Sequence, residues 1–404
     1  MCPNISEQQT VYLDYNATTP CAPEVFDVML PFFRTEYGNP SSVHIMGRKA
    51  AHAIAVARQH IAAAIGAASD DVFCTSGATE SNNIVLMGLV GPSSARNRIL
   101  VSSIEHKSIL EPCSRLAERG FEILEIPATR DGIVDIRAFQ DLVDAKTLLV
   151  SVQGANNEIG TLQPVRELAD IAHTNGAIVH CDASQMLGKI PVSVIDMGVD
   201  CASFSGHKVY GPKGVGILYM HRRVMNRVVH PLSFGGGQER EFRPGTLNVP
   251  AIVGFGEACR IALPSLSEEM RRIGSLRDSL ETQLLDRCSG AFVVGVKSRR
   301  LPGTSSICIP GVPADALVAR TPRVCVGIGS ACTAGASSPS HVLLACGLSR
   351  ETAAFVIRIS LGRYTTQEEV AFAVGRLTES VDAIRHYRVG EMHAPVISDG
   401  TYEK

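Results

Sequence analysis

This sequence lacks an excess of charge of either sign. Over 404 residues, 38 Lys and Arg face 40 Asp and Glu, for a formal net charge of -2. No global basic surface is present to hold nucleic acid or anionic lipid, so neither direct nucleic-acid binding nor membrane association is expected. No uninterrupted apolar run reaches the roughly 18 residues of a spanning helix. The N-terminal stretch "MCPNISEQQT" is polar and lacks the apolar core of a secretory signal. A cytoplasmic location is the expectation, and there the 12 cysteines stay mostly reduced. No C-x-x-C pair occurs, which removes zinc-ribbon and thioredoxin readings, and no metal site is expected. Two phosphate signatures are missing as well. No G-x-x-x-x-G-K-[ST] is present, and "GIGSAC" lacks the third glycine of G-x-G-x-x-G.

What is present is a chain of 45% hydrophobic and 19% charged residues, long enough for about two to three core units. Seven short apolar runs, "VFCTS", "RILVSS", "FEILEI", "TLLVSV", "AIVHCDA", "CASFS" and "VGILYM", alternate with helical patterns between about Asn16 and residue 260. In "PVRELADIAHTNG", Pro164 marks a helix start and Asn175-Gly176 its stop. Val165, Leu168, Ala169 and Ala172 share one face. Strands apolar on both faces and separated by helices predict an α/β unit with a largely parallel, doubly covered sheet. Beyond residue 260 the texture changes. "SEEMRRIGSLRDSLETQLLD" is predicted to be a charged helix that begins a second unit, and Thr366 with Glu369 forms a capping box ahead of the stripe Val370, Val374, Leu377, Val381 and Ile384. The expected division is a large domain over 16–262 and a smaller α+β domain over 1–15 and 263–404.

Three segments carry chemistry. "CTSGATESNNIVLMGL" reads as strand, turn and helix. The amides of Ala78 and Thr79 suit an anion there, although an ordinary capped helix has the same pattern. Asp182 ends the apolar strand of "AIVHCDASQMLGK", with Gln185 after it. A carboxylate in that setting costs several kcal/mol unless it is paired, so it either meets a buried cation or caps the following helix. Lys208, in "CASFSGHKVYGPKGVGILYM", sits at a strand end beside Ser205 and His207, a polar setting that suits an amine acting covalently. Phosphate cradle, aspartate and lysine together are what pyridoxal 5'-phosphate needs, the aspartate pairing with the pyridinium nitrogen. His106, after the strand in "SSIEHKS", is a candidate to stack on the ring and move protons. Most cysteines, such as Cys74, Cys308 and Cys325, lie in strand-like runs as small hydrophobes. Cys332 differs, because "CVGIGSACTAGASSP" surrounds it with loop formers. Cys21 in "PCAP" is also in a loop, so context alone does not select between them.

The ordered motifs "YLDYNATTP", "YGNPSSVH", "TSGATESNN", "IEHKSILEP", "NNEIG", "DASQMLGK", "SGHKVYGPKGVG", "GGGQEREFRPGT", "GSACTAG" and "IRISLGRYTT" span nearly the whole chain. In them the sequence resembles the cysteine desulfurases of the NifS/IscS-like group, within the class V aminotransferase superfamily. The resemblance implies the pyridoxal phosphate-dependent transferase fold of type I. It implies that Lys208 holds the cofactor, that Ser205, His207, Ala78 and Thr79 contact its phosphate, and that Asp182 meets the pyridinium. By the same resemblance His106 is the stacking acid/base, and Gln185 and Asn157 contact the ring hydroxyl and substrate. Thr246 of "RPGT" reaches the phosphate of a neighbouring subunit, which implies a homodimer. Arg358 binds the carboxylate of the substrate, L-cysteine, and Cys332 is the nucleophile. That thiol takes sulfur as a persulfide, leaving L-alanine, and passes it to an acceptor protein. A mobile loop allows both tasks.

The subtype is less marked. Gly154-Ala155 precede "NNEIG" where many relatives carry bulkier residues, and the pocket is expected to change there. The tail "HAPVISDGTYEK" does not resemble the acceptor-docking tail of members serving iron–sulfur assembly. "IEHKSILEP" and "GGGQEREFRPGT" are similar to desulfurases of DNA phosphorothioation systems, and selenocysteine lyases share "GGGQER" and "RPGT". Selenocysteine lyase activity on the same fold is the alternative function. A catalytically silent thiol store is a further one, against which Lys208 and Asp182 argue.

Overall fold

The computed structural model describes residues 10–89, 96–225, 230–328 and 339–392. All seven apolar runs form strands of one sheet: β1 Val72–Thr75, β2 Arg98–Ser102, β3 Glu122–Ile126, β4 Thr147–Ser151, β5 Ile178–Asp182, β6 Cys201–Ser205 and β7 Gly216–Met220. Their order is β1-β7-β6-β5-β4-β2-β3. The β3-β2-β4-β5-β6 run is parallel, and β7 lies antiparallel to both β6 and β1. The sheet is therefore largely, but not wholly, parallel.

Side-chain alternation explains the layers. Cys74, Leu100, Val150, Val179, Ala202, Phe204, Ile217 and Tyr219 pack in one core with helices Ile45–Ile65, Val165–Thr174 and the first part of Val249–Arg287. Their chain neighbours Phe73, Ile99, Val101, Leu149, Ile178, Cys201 and Leu218 face the other way, toward helices Ala78–Gly88 and Lys107–Glu118. Helices thus cover both faces. Helix Val165–Thr174 follows Pro164 and buries the four predicted residues.

One expectation is corrected. The charged segment after residue 260 does not begin a helix. It is the second half of a continuous helix, Val249–Arg287, which Asn248 caps by accepting from Ala251 N–H at 3.2 Å. Its first half buries Ile252, Phe255, Ala258 and Ala262 in the large core, and its second half buries Leu280 and Leu284 in a separate one. The first half is long and apolar enough to cross a membrane by length and composition, but 56% of that stretch is buried inside the protein. It is a core helix.

The second core lies under a four-stranded antiparallel sheet. Its strands are β8 Phe292–Val293, β9 Thr304–Cys308, β10 Gly327–Ile328 and β11 Val356–Ser360, in the order β10-β11-β9-β8. Helix Gln367–Met392 packs its predicted stripe there, after the capping box forms as expected: Glu369 N–H donates to Thr366 Oγ1 at 3.2 Å, and Thr366 N–H to Glu369 Oε2 at 3.0 Å. Val11–Tyr12 pairs in parallel with Val324–Cys325, and Asp14 bridges to Ser360. This N-terminal segment carries Asn16 to the junction of the two units.

Candidate active site

The strands end where the chemistry gathers, as open α/β sheets dictate. A cavity of ≈ 620 Å³ lies at the carboxyl ends of β1, β2, β4, β5 and β6. Ten predicted residues line it: Ala78, Thr79, His106, Asn157, Asp182, Gln185, Ser205, His207, Lys208 and Arg358. Thr246 does not. It is exposed in the segment after the turn Gln238–Glu241. Cys332 lies outside the described residues.

The anion end is built by close backbone approach. Gly216 of β7 sits against Gly77; a Cβ there would come within 2.5 Å of the Gly77 Cα, so glycine lets helix Ala78–Gly88 start at the sheet edge. No side chain caps that helix, which leaves the amides of Ala78 and Thr79 for an anion. His207 borders the cavity, with its Nδ1 3.0 Å from Thr18 Oγ1. Burial, reinforced by Lys208, Lys213 and Lys189, lowers its pKa to about 4, so the ring is neutral near pH 7.

Asp182 combines the two roles left open by the sequence. Ser184 donates to Oδ1 from its backbone N–H (3.0 Å) and its hydroxyl (2.5 Å), which is a turn cap, and Asn82 Nδ2 donates to Oδ2 at 2.8 Å. The residues after Asp182 form hydrogen-bonded turns rather than the predicted helix. Among the described residues no cationic side chain lies within ion-pair distance of this carboxylate, so its hydrogen-bonded partners are neutral donors. A cationic ligand atom in the cavity would supply the missing counter-charge.

Asn82 also donates to Ser108 Oγ at 2.8 Å, and Ser108 meets His106 Nδ1 through its hydroxyl (2.8 Å) and its N–H (3.1 Å). Burial lowers the His106 pKa, with Lys208, His341 and Lys107 acting in the same direction and Asp182 against it. The ring is neutral near pH 7, and because Nδ1 accepts, Nε2 carries the proton. Glu105, fully buried beside it, accepts from Gln153 N–H at 2.5 Å, and burial pushes its carboxyl well above the usual range.

Lys208 follows β6 on a single 3-10 turn, and its Nζ donates to the carbonyls of Asn16 (2.5 Å) and Ala17 (2.8 Å). Arg358 donates from Nη1 to Asn157 O at 3.0 Å and from Nη2 to Asp14 Oδ1 at 2.6 Å, while its buried Nε is without a partner. Arg358 itself lines the cavity, where a guanidinium suits a carboxylate. Glu158, buried in the same wall, accepts from Ser340 Oγ at 2.5 Å, and burial raises its pKa to about 7.

Sequence reasoning left Asn16, Asn82, Ser108, Ser184 and Lys189 unassigned, although all stand in or beside the quoted motifs. A polar side chain at a strand end or turn was their available signal. The expected effect of Gly154-Ala155 on the pocket divides. A Cβ at Gly154 would fall 2.1 Å from Met186 Sδ, so Met186 fills that space, and Ala155 is the residue that borders the cavity. Among the described cysteines Cys74 and Cys308 are buried as predicted, whereas Cys325 and Cys21 are half-buried.

Comparison with known proteins agrees with this geometry. Residues 11–372 match the family model described as aminotransferase class-V. Cysteine desulfurase IscS of Dictyoglomus turgidum is 41% identical over 381 residues, covering 94% of this chain and 96% of that protein. A solved NifS-like protein superposes with a TM-score of 0.86 at 38% identity, over 93% of this chain and all (100%) of its own. DndA from Streptomyces lividans superposes with a TM-score of 0.73 at 36% identity, over 86% and 98%. The chain belongs to the class-V aminotransferase family, among its pyridoxal phosphate-dependent cysteine desulfurases.

Proposed function

We propose that this protein converts L-cysteine to L-alanine, with sulfur received by Cys332 as a persulfide and passed to an acceptor protein. The observation that carries the proposal is the convergence, on one cavity, of an uncapped helix start, a carboxylate with neutral partners, a lysine and an arginine. This donor set fits pyridoxal phosphate. Ala78, Thr79, Ser205 and His207 would hold its phosphate, Asp182 its ring nitrogen, His106 its ring face, Asn157 and Gln185 its hydroxyl edge, and Lys208 its reactive carbon. When bound, the cofactor supplies an electron sink for the substrate's α-carbon.

The chain's own residues do the rest. Arg358 orients the substrate carboxylate, and Asn157, whose carbonyl Arg358 holds, fixes that edge of the site. His106, whose Nδ1 is held by Ser108 and whose Nε2 carries the proton, gives that proton up and takes one back at the same atom. Cys332 attacks sulfur as thiolate, which at neutral pH is a minority of a free thiol of pKa about 8.5 unless neighbours assist.

Purified protein mixed with L-cysteine should release alanine and sulfide in the presence of a reductant. Cys332→Ser should still bind cofactor and release no alanine. Turnover by Cys332→Ser at the wild-type rate would overturn the assignment, and activity confined to selenocysteine would make the protein a selenocysteine lyase.

A cytoplasmic homodimer completes the proposal. Thr246, exposed and away from its own chain's cavity, would serve the partner's phosphate site. The similarity to DndA supports an acceptor in DNA phosphorothioation, with one in iron–sulfur assembly as the alternative. The division into 16–262 and 1–15 with 263–404 is likewise proposed. Membership of the two cores supports it, with the crossover inside helix Val249–Arg287.

A further inference from the structure

Lys189 lies behind the cavity wall and has no role in the chemistry above. Its Nζ donates to Gln185 Oε1 at 2.5 Å and to Asn16 Oδ1 at 2.8 Å. Among the described residues no carboxylate oxygen lies within ion-pair distance of it. The charged groups around it are Lys208 and Arg358, of like sign, and Asp14. Burial, with that repulsion, holds its pKa well below the ordinary lysine value. An amine kept there without a counter-ion costs stability, so what it does for its two acceptors is the question.

Its effect on Gln185 is directional. An amide side chain can present oxygen or nitrogen to either side, and its partners decide which. Asn16 O can only accept, so the Gln185 nitrogen faces it and the oxygen faces Lys189, whose amine donates to it. Gln185 Nε2 then donates one hydrogen to Asn16 O at 3.0 Å. Asn16 is itself immobile. It is buried, its Nδ2 donates to Thr304 Oγ1 at 2.9 Å and Asn157 O at 3.1 Å, and its N–H donates to Ser360 Oγ at 2.9 Å. With the oxygen engaged and one hydrogen engaged, what Gln185 has left for the cavity is its second N–H.

We propose that Lys189 is a positioning residue that fixes the Gln185 amide so that it meets the cofactor's ring hydroxyl as a hydrogen-bond donor. This rests on the proposed placement of the ring hydroxyl at Gln185. A donor at that point favours the ionised, hydroxylate form of the ring oxygen, and an acceptor would oppose it. The same Asn16 carbonyl that orders Gln185 also holds Lys208, so one immobile residue sets both groups.

The test is a pH titration of the bound cofactor's visible absorbance in holoenzyme without substrate. Lys189→Met removes one of the two partners that set the amide and leaves Asn16 O alone to hold it. The midpoint for ring-hydroxyl ionisation should rise by about one pH unit, the size of one hydrogen bond to a charged group. Lys189→Gln keeps a donor without charge and should titrate as wild type. A Lys189→Met holoenzyme with the wild-type midpoint overturns the proposal. So does Lys189→Gln shifting as far as Lys189→Met, which would make charge rather than orientation the cause. Should Lys189→Met fail to fold, Gln185→Glu decides, because one carboxylate oxygen can face Lys189 while the other confronts the ring oxygen. Its midpoint should rise, and an unchanged value overturns the proposal. Gln185→Met separates the two levels. If it leaves the midpoint unchanged, the ring hydroxyl is not at Gln185. If it moves the midpoint while Lys189→Met does not, only the role of Lys189 falls.

Discussion

Ser108 Oγ lies 2.8 Å from His106 Nδ1, and Ser108 Oγ itself accepts from Asn82 Nδ2 at 2.8 Å. Because Asn82 donates to that oxygen, the hydroxyl hydrogen of Ser108 is left to donate to the imidazole. A donor on Nδ1 favours neutral imidazole over imidazolium. Ser108→Ala should therefore raise the His106 pKa from its lowered value toward the ordinary 6.5, by about half to one pH unit for one neutral hydrogen bond. The acid limb of the kcat/KM–pH profile should move up by that amount, with little loss near pH 8. An unmoved limb would show that Ser108 does not tune His106.

Asp182 has three donors pointed at it, two from Ser184 and one from Asn82. Asp182→Asn replaces one oxygen by an NH2 group, which must face a donor on one side or the other. The variant loses a hydrogen bond as well as the counter-charge for the ring nitrogen. Cofactor affinity should fall by roughly 10²-fold, about 3 kcal/mol, and kcat should fall with it. Fluorescence titration of cofactor into the apo variant would measure this, and wild-type affinity would remove Asp182 from the site.

Glu158 gives a stability prediction with a defined sign. Its carboxyl is raised by burial from 4.5 to about 7, so between those values the folded chain binds more protons than the unfolded chain. Stability contributed by this group is present below about pH 4.5 and is lost as pH rises toward 7. Glu158→Gln keeps an acceptor for Ser340 and cannot ionise. The stability of the variant relative to wild type should climb across that window, by up to about 3 kcal/mol, and then level off. Thermal unfolding at several pH values would test it, and a flat difference would place the carboxyl in an ordinary environment.

The strands were legible because each is a short apolar run ended by a polar turn, and Asp182, Ser205 and Lys208 stand where those runs stop. The antiparallel course of β7 was not legible. Gly216–Met220 is apolar on both faces like its neighbours, and only the short link from β6 hints at direction. The single helix Val249–Arg287 was misread because its surroundings change along it, from large core to solvent to small core, while its helical bonding continues. The polar network escaped for a different reason. Asn82 and Asp182 are 100 residues apart, and Asn16 and Ser360 are 344 apart. Such contacts follow from sheet order, not from local pattern.

Thr246 carries the remaining prediction. Within its own chain it is exposed and lies off the cavity, so a role in cofactor binding requires a second subunit. Lys208→Ala homodimers should be inactive, and Thr246→Ala homodimers should bind cofactor weakly. In a mixed dimer the two defects redistribute. One site combines the intact lysine of the Thr246→Ala chain with the intact threonine of the other and is whole, while the second site carries both defects. Random mixing of equal amounts makes half of the dimers mixed, so about a quarter of all sites should be whole. Alanine release at limiting cofactor should then exceed the average of the two parents and approach that fraction of wild type. A mixture that only averages its parents, or an active protein that sediments as a monomer, would show that Thr246 serves no partner site.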